Sequence, residues 1–239
     1  MKVLVACEES QAVCKAFRKR GHEAYSCDIM ACSGGHDEWH IKGDVLEVLN
    51  PKTEIKPLVT LYGNTSYKTN GIYFKTCDDI EHYVEKWDLI IAHPPCTHLS
   101  SSGQWAYKKG KDISLKYEGI NFFMNFVNAD CDKIAIENPV GIMSTEYKKP
   151  SQIIQPWQFG HKAQKSTCLW LKGLPLLIPT NIVDKGEFVE WIDKIMGRKK
   201  RQSKYDFEIL KTAKTSEERS KLRSKTFEGI AEAMAEQWG

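Results

Sequence analysis

Residues 2–6 (KVLVA) form a short apolar run, and the polar stretch after it gives way to Ala12, Val13, Ala16 and Phe17, spaced as one helical face. The predicted order is strand, loop, helix. Gly21 stops that helix, residues 22–27 read as a strand, and Asp28 stands at its end. After the loop Ser33-Gly34-Gly35, a further short strand is predicted around Ile41, with Gly43-Asp44 beside it. Residues 87–92 (WDLIIA) are nearly all apolar, as a strand buried on both faces is, and two prolines close the run at His93-Pro94-Pro95-Cys96. Tyr117, Ile120, Phe123, Met124 and Val127 mark a helix, and residues 133–136 a short strand that ends at Glu137-Asn138-Pro139. Residues 167–171 (TCLWL) are another strand candidate before Gly173 and Pro175. Finally Phe227, Ile230, Ala231, Met234, Ala235 and Trp238 fall on one face of an amphipathic helix.

Strands alternating with helices predict an α/β fold, a mostly parallel sheet with helices on both faces. In such sheets ligands bind beyond the carboxyl ends of the strands, and Glu8, Asp28, Asp44, Cys96 and Glu137 all fall at or just after such ends. Residues 50–77 interrupt the pattern. Turn signals at Gly63-Asn64 and Asn70-Gly71, set between alternating apolar residues, predict a hairpin-like insertion there.

The composition is that of a globular body: 41% hydrophobic and 27% charged in 239 residues, enough for one large domain and too little for two. No stretch approaches the roughly 18 apolar residues of a membrane span, and residues 1–6 enter the first strand without a signal-peptide profile. A soluble, cytoplasmic protein without a membrane partner is therefore expected. The eight cysteines are too sparse for a secreted disulfide scaffold and are expected as thiols. Net charge is only +3, but residues 198–225 hold 11 Lys or Arg against 4 Asp or Glu, so this segment carries +7 and the remainder −4. A stretch of that kind suits either phosphate contact or a solvated helix face.

Cys96 is the most suggestive single residue. A rigid Pro-Pro turn would hold its thiol at a fixed angle outside the sheet, and Glu137 ends another strand at the same rim. Pro94-Pro95-Cys96, followed by a helix, a strand and Glu137-Asn138-Pro139-Val140, resembles the cytosine-5 DNA methyltransferases. Pro94-Pro95-Cys96 matches their nucleophile motif, and their Glu-Asn-Val motif appears here with a proline inserted. The likeness is sharp over those two stretches, loose over most of the chain, and suggests a minimal, phage-type member of the restriction-modification kind.

That resemblance implies a Rossmann-like, S-adenosylmethionine-dependent methyltransferase acting on cytosine in DNA, flipped from the duplex or presented unpaired. Cys96 is the implied nucleophile toward ring carbon 6, and Glu137 the group that hydrogen-bonds ring nitrogen 3. Cys7, Glu8, Ser10, Asp28, Ile29, Asp44 and Pro94 fall to the cofactor, Asp28 at the ribose hydroxyls and Asp44 near the adenine amino group. Pro95, Asn138, Lys162 and Lys165 fall to the target nucleotide. Within Gly197 to Lys204 (GRKKRQSK), Lys199, Lys200 and Arg201 are the expected phosphate contacts. The implied organisation is a catalytic core over 1–173, a small basic recognition element over 174–225, and a closing helix over 226–239.

Two departures from the family pattern are plain. The family's first turn is Phe-x-Gly-x-Gly-Gly, whereas residues 6–11 (ACEESQ) contain no glycine, and the family's Gln-x-Arg-x-Arg is Gln164-Lys165-Ser166-Thr167-Cys168 here. The first departure motivates an alternative, a degenerate methyltransferase fold that binds nucleic acid or protein without turnover. An amino-group methyltransferase of the Asn/Asp-Pro-Pro-Tyr type is a weaker alternative, since His93 and Cys96 occupy its key positions. Cys27, Cys32, His36 and His40 are ligand types for zinc, but their spacing is too compressed for a finger, and no metal is expected. His93 and His98 flank Cys96, where an imidazole could tune the thiolate.

Overall fold

The computed structural model describes residues 1–60, 63–192 and 197–239. Seven strands form the central sheet: β1 (Lys2–Ala6), β2 (Glu23–Asp28), β3 (His40–Lys42), β7 (Leu89–Ala92), β8 (Ile134–Pro139), β9 (Gln152–Ile154) and β10 (Thr167–Lys172). Their order across the sheet is β3-β2-β1-β7-β8-β10-β9. The first five are parallel, and β10 and β9 add an antiparallel margin. The expected α/β architecture with a mostly parallel sheet is therefore present.

Alternation along each central strand explains why both faces are covered. Val3, Val5, Leu89, Ile91, Ala135 and Leu169 share one core with helices α1 (Ala12–Lys19) and α8 (Glu228–Trp238). Leu4, Ala6, Ile90, Ala92, Ile134 and Ile136 share the other with Phe123 and Phe126 of α4 (Ser114–Val127) and with short α2 (Leu46–Leu49). With neither face in water, a strand has no use for polar positions, and each fully buried large side chain contributes about 1.5–3 kcal/mol. The closing helix buries Ile230, Ala231, Met234, Ala235 and Trp238, as its spacing predicts. Gly21 ends α1 with φ +82°, a conformation that a side chain would resist.

The insertion is a hairpin of β4 (Lys52–Thr60) and β5 (Gly63–Lys75), extended by β6 (Glu81–Val84) into a three-stranded antiparallel sheet. Its far turn, residues 61–62, lies outside the described residues. Asn70-Gly71, expected as a turn, instead runs through the middle of β5. The glycine serves close approach: a Cβ there would stand 2.3 Å from Cε2 of Tyr83 on β6, whose hydroxyl donates to the Asn70 carbonyl at 3.1 Å. Ile72, Phe74 and Val84 are buried, and Phe74 meets Tyr25 (4.9 Å between centroids) and Trp87 (5.6 Å), which roots the insertion in the core.

Beyond Cys96 come short α3 (Gln104–Lys108) and α4, and beyond β8 comes short α5 (Met143–Glu146). The segment expected to be basic and accessory folds as a two-stranded ribbon, β11 (Phe188–Ile192) with β12 (Lys199–Ser203), followed by α6 (Lys204–Thr212) and α7 (Ser216–Ser224). Among the described residues no helix is long and apolar enough to cross a membrane.

Trp238 is 2% exposed and its indole N–H donates to the Pro175 carbonyl at 3.1 Å, so α8 closes the sheet's second face through this residue. Trp238→Ala is expected to lower unfolding stability by about 3–5 kcal/mol, measured by urea denaturation. A loss below about 1 kcal/mol would contradict this view of α8.

Candidate active site

The chain enters the sheet at its centre. From β1 it winds outward through β2 and β3, then returns through β7 to the other side of β1. The order of strands therefore reverses between β1 and β7, the point beyond whose carboxyl ends sheets of this kind bind ligands. The turn after β1 and the His93-Pro94-Pro95-Cys96 turn after β7 flank that point as two walls. The His93 amide, donating to the Ala6 carbonyl at 2.9 Å, ties them together.

The second wall is braced from β8. That strand runs on through Glu137 and Asn138 instead of ending before them, which brings both side chains level with the Pro-Pro turn. Asn138 is 2% exposed and its amide nitrogen donates to the Pro94 carbonyl at 2.7 Å. Glu137 Oε2 lies 2.9 Å from His93 Nδ1, with the two side chains only 14% and 8% exposed. Cys96 is left exposed at the rim. The carbonyl of Cys96 accepts from the amides of Leu99 and Ser100, and Ile142 donates back to Leu99 at 2.9 Å. A Cβ on Gly141 would sit 2.1 Å from the Leu99 carbonyl oxygen, so only glycine lets this loop pack against the end of β8.

Charges at the rim are arranged around the sulfur. Partial burial, and then the Glu137 carboxylate, push the Cys96 thiol above its usual range, while Lys165 and Arg223 pull it back. Lys165 reaches across from the segment before β10, its ammonium donating to the Arg223 carbonyl at 2.7 Å. Burial would raise Glu137, but the hydrogen bond and charge of His93, and then Lys165, hold it below its ordinary 4.5. Burial would lower His93, yet Glu137 and then Glu8 outweigh it, and the imidazole lies above its ordinary 6.5. Each group thus favours the charged form of the other.

The glycine-free turn after β1 adopts glycine-like geometry all the same. Cys7 (φ 59°) and Gln11 (φ 57°) are both left-handed, at a cost of about 1–2 kcal/mol each for a residue with a Cβ. Gln11 is fully buried and offsets part of that cost through its amide. The nitrogen donates to the His36 carbonyl (2.8 Å) and Ser26 Oγ (3.3 Å), and the oxygen accepts from the His36 amide (3.1 Å) and the Cys32 thiol (3.0 Å). A Cβ on Gly34 would lie 2.4 Å from the same oxygen, which explains one glycine of the following loop.

The predicted cofactor residues divide into two groups. Asp28 and Asp44 converge on Cys7, whose thiol is pushed up by burial and then by Asp28, Cys27 and Asp44. Asp28 accepts from the Met30 amide at 2.8 Å, and burial raises its carboxyl. Asp44 is exposed, and Ile29 stands 76% exposed beside Asp28. Ser10 is partly exposed in the turn, whereas Pro94 is buried in the opposite one. Glu8 faces α1: it is 5% exposed, and its two oxygens accept from the α1 amides of Val13 (2.7 Å) and Cys14 (3.2 Å). Its place is that of a buried cap on α1. Its neighbour Glu9, which sequence reasoning passed over, is also buried, with Oε2 accepting from Ser33 Oγ and lying 3.7 Å from Lys221. Glu9 Oε1 is buried with no hydrogen-bond partner among the described residues.

Of the predicted nucleotide contacts, Lys165 is at the rim and Pro95 is exposed on the turn, while Asn138 is inside, spent on Pro94. Lys162 is exposed. Lys199, Lys200 and Arg201 line β12 of the ribbon, where Lys199 (2.6 Å) and Arg201 (3.8 Å) already approach Glu190 of β11. Arg223, the other cation felt by the thiol, escaped notice because nothing in its local sequence distinguishes it from its basic neighbours. The four zinc-type residues have separate partners: Cys32 meets Gln11, His40 meets Ser26 and Met30, His36 stacks on Trp39, and Cys27 faces Gly43. No protein-family model matches the chain, and no curated protein matches it.

The ion pair sets a pH window. The lowered Glu137 contributes stability above its unfolded value near 4.5 and loses it as pH falls through the folded value. The raised His93 contributes below its unfolded value near 6.5 and loses it as pH rises through the folded one. Glu137→Gln should therefore cost most, about 3 kcal/mol, between those two values, and less on either side. Unfolding free energies of both chains across pH measure it, and a pH-independent difference would refute the ion pair.

Proposed function

We propose that the chain transfers a methyl group from S-adenosylmethionine to carbon 5 of cytosine in DNA, through a transient covalent bond from Cys96. The observation that carries this reading is the exposed Cys96 thiol, held on a braced turn between a buried carboxylate on β8 and the cations Lys165 and Arg223.

The residues of the first wall suit a cationic ligand. Asp28 and Asp44 make the surroundings of Cys7 negative, and Glu9 brings a buried carboxylate oxygen that lacks a partner among the described residues. Such a site favours an ammonium or sulfonium over an anion. Ile29 would cover an adenine face, Asp28 would accept from ribose hydroxyls, and Asp44 and Glu9 would meet the remaining donors. When bound, S-adenosylmethionine supplies an electrophilic methyl group on a positively charged sulfur.

Cytosine is electron-poor at carbon 6, so a Cys96 thiolate can add there, moving electron density through carbon 5 toward ring nitrogen 3. Glu137 would hydrogen-bond that nitrogen and stabilise its protonated form, which leaves carbon 5 nucleophilic. Lys165 and Arg223 offset part of the rise in the thiol's pKa and favour the anion as the base arrives. Once carbon 5 has gained the methyl group and lost its proton, the sulfur leaves with the electron pair of its bond to carbon 6. A stacked base hides this face, so the cytosine is flipped out or unpaired, and an exposed thiol on a rigid turn suits a base delivered from outside.

Wild-type protein is expected to form a denaturation-resistant adduct with DNA containing 5-fluorocytosine when S-adenosylmethionine is present, seen as a mass shift. Cys96→Ser should form none and lose at least about 1000-fold in methyl transfer, since a serine hydroxyl is a far weaker nucleophile at neutral pH. An equally active serine variant would remove the thiol from the mechanism. Replacing Lys199, Lys200 and Arg201 together with alanine should weaken DNA binding and flatten the plot of log affinity against log salt by about 0.9 for every phosphate no longer neutralised. An unchanged slope would take β12 out of the interface.

A further inference from the structure

His93 is not needed to hold the backbone of its turn, which its own amide and Asn138 already secure. Its ring nevertheless lies against Glu137, Nδ1 to Oε2 at 2.9 Å, and its other nitrogen, Nε2, is buried with no partner among the described residues. A histidine that served packing alone would be cheaper neutral, with its free nitrogen in water. Here the imidazole is kept out of water and aimed at the Glu137 carboxylate.

We propose that His93 is a positioning residue that acts through Glu137, lending it the proton that reaches ring nitrogen 3 of the target cytosine. This rests on the function proposed above and adds the source of the proton. As the Cys96 sulfur bonds to carbon 6, the carbon 5–carbon 6 electron pair shifts toward carbon 4 and the nitrogen 3–carbon 4 pair moves onto nitrogen 3. That nitrogen takes a proton from Glu137, and Glu137 takes one from His93 Nδ1, leaving a neutral imidazole. When the sulfur leaves with the electron pair of its bond to carbon 6, the pair of the carbon 5–hydrogen bond restores the carbon 5–carbon 6 double bond and that proton passes to solvent water, while the nitrogen 3 proton returns along the same path. One proton is lent and recovered, and no oxidant or further reactant enters.

The groups facing the imidazole fit this role from each side. Glu137 on β8 and Glu8 in the turn after β1 favour its charged form, and Lys165 before β10 opposes it. An ion-paired Glu137 alone is a poor acid, because its carboxyl is held below the ordinary range. A protonated histidine behind it supplies the missing proton.

The test is the pH profile of kcat for 5-methylcytosine formation by wild type and His93→Asn, whose amide can hold Glu137 by a hydrogen bond but cannot ionise. The wild-type rate should fall on the alkaline side as His93 loses its proton. In the variant kcat should drop about 100-fold, KM should change by less than about threefold, and the alkaline fall should disappear. A variant that keeps both its rate and the alkaline fall overturns the proposal. A second measurement, nitrogen-15 spectra of histidine-labelled wild type, should find both His93 ring nitrogens protonated at neutral pH, and a neutral ring would also overturn it. A wild type that makes no 5-methylcytosine at all would instead remove the function on which this inference rests.

Discussion

The carboxyl ends of β7 and β8 are held by a buried contact between a carboxylate and an imidazole, Glu137 against His93. Removing two such charges from water costs several kcal/mol per ion, and the cost is recovered only when partner and geometry are close to ideal. Here His93 and the charge of Lys165 favour the Glu137 carboxylate, with Asn138 fastening the adjacent backbone to Pro94. The Pro94-Pro95 turn is thereby braced from β8, and Cys96 stands exposed just beyond it. Such presentation suits chemistry in which an attacking atom has to meet a ring carbon from one direction.

On the opposite wall, close backbone approach is obtained without glycine. Two residues with side chains accept left-handed geometry at Cys7 and Gln11, and Gln11 converts its side chain into the fastener of the loop over 32–36. The turn thereby keeps the shape that glycines would allow while its carboxylates give it a negative field. It also separates the roles of two adjacent acids: Glu8 stabilises the start of α1 from within, and Glu9 keeps an oxygen unsatisfied among the described residues.

Much of the central sheet was legible because strands buried on both faces must be apolar throughout, as residues 2–6 and 87–92 are, and because α8 carries its face at helical spacing. Other parts were not, for identifiable reasons. Asn70-Gly71 has turn chemistry, yet a tyrosine on the next strand uses the missing Cβ, a tertiary demand invisible in local pattern. The β11–β12 ribbon is short and rich in charge, so its alternation is weak, and its cations pair with Glu190 across the strands. In the candidate site, strand ends located Cys96, Glu137, Asp28 and Asp44 in one dimension. That His93 belongs to Glu137 and that Glu8 turns inward depended on neighbours 44 residues away and on the direction of α1 respectively.

Methyl transfer to one ring carbon is the central claim, and nucleoside mass spectrometry of DNA incubated with the protein and isotopically labelled S-adenosylmethionine tests it most directly. The label should appear in 5-methylcytosine. Label on an exocyclic nitrogen of adenine or cytosine, or in no nucleoside of DNA that the protein binds, would contradict it.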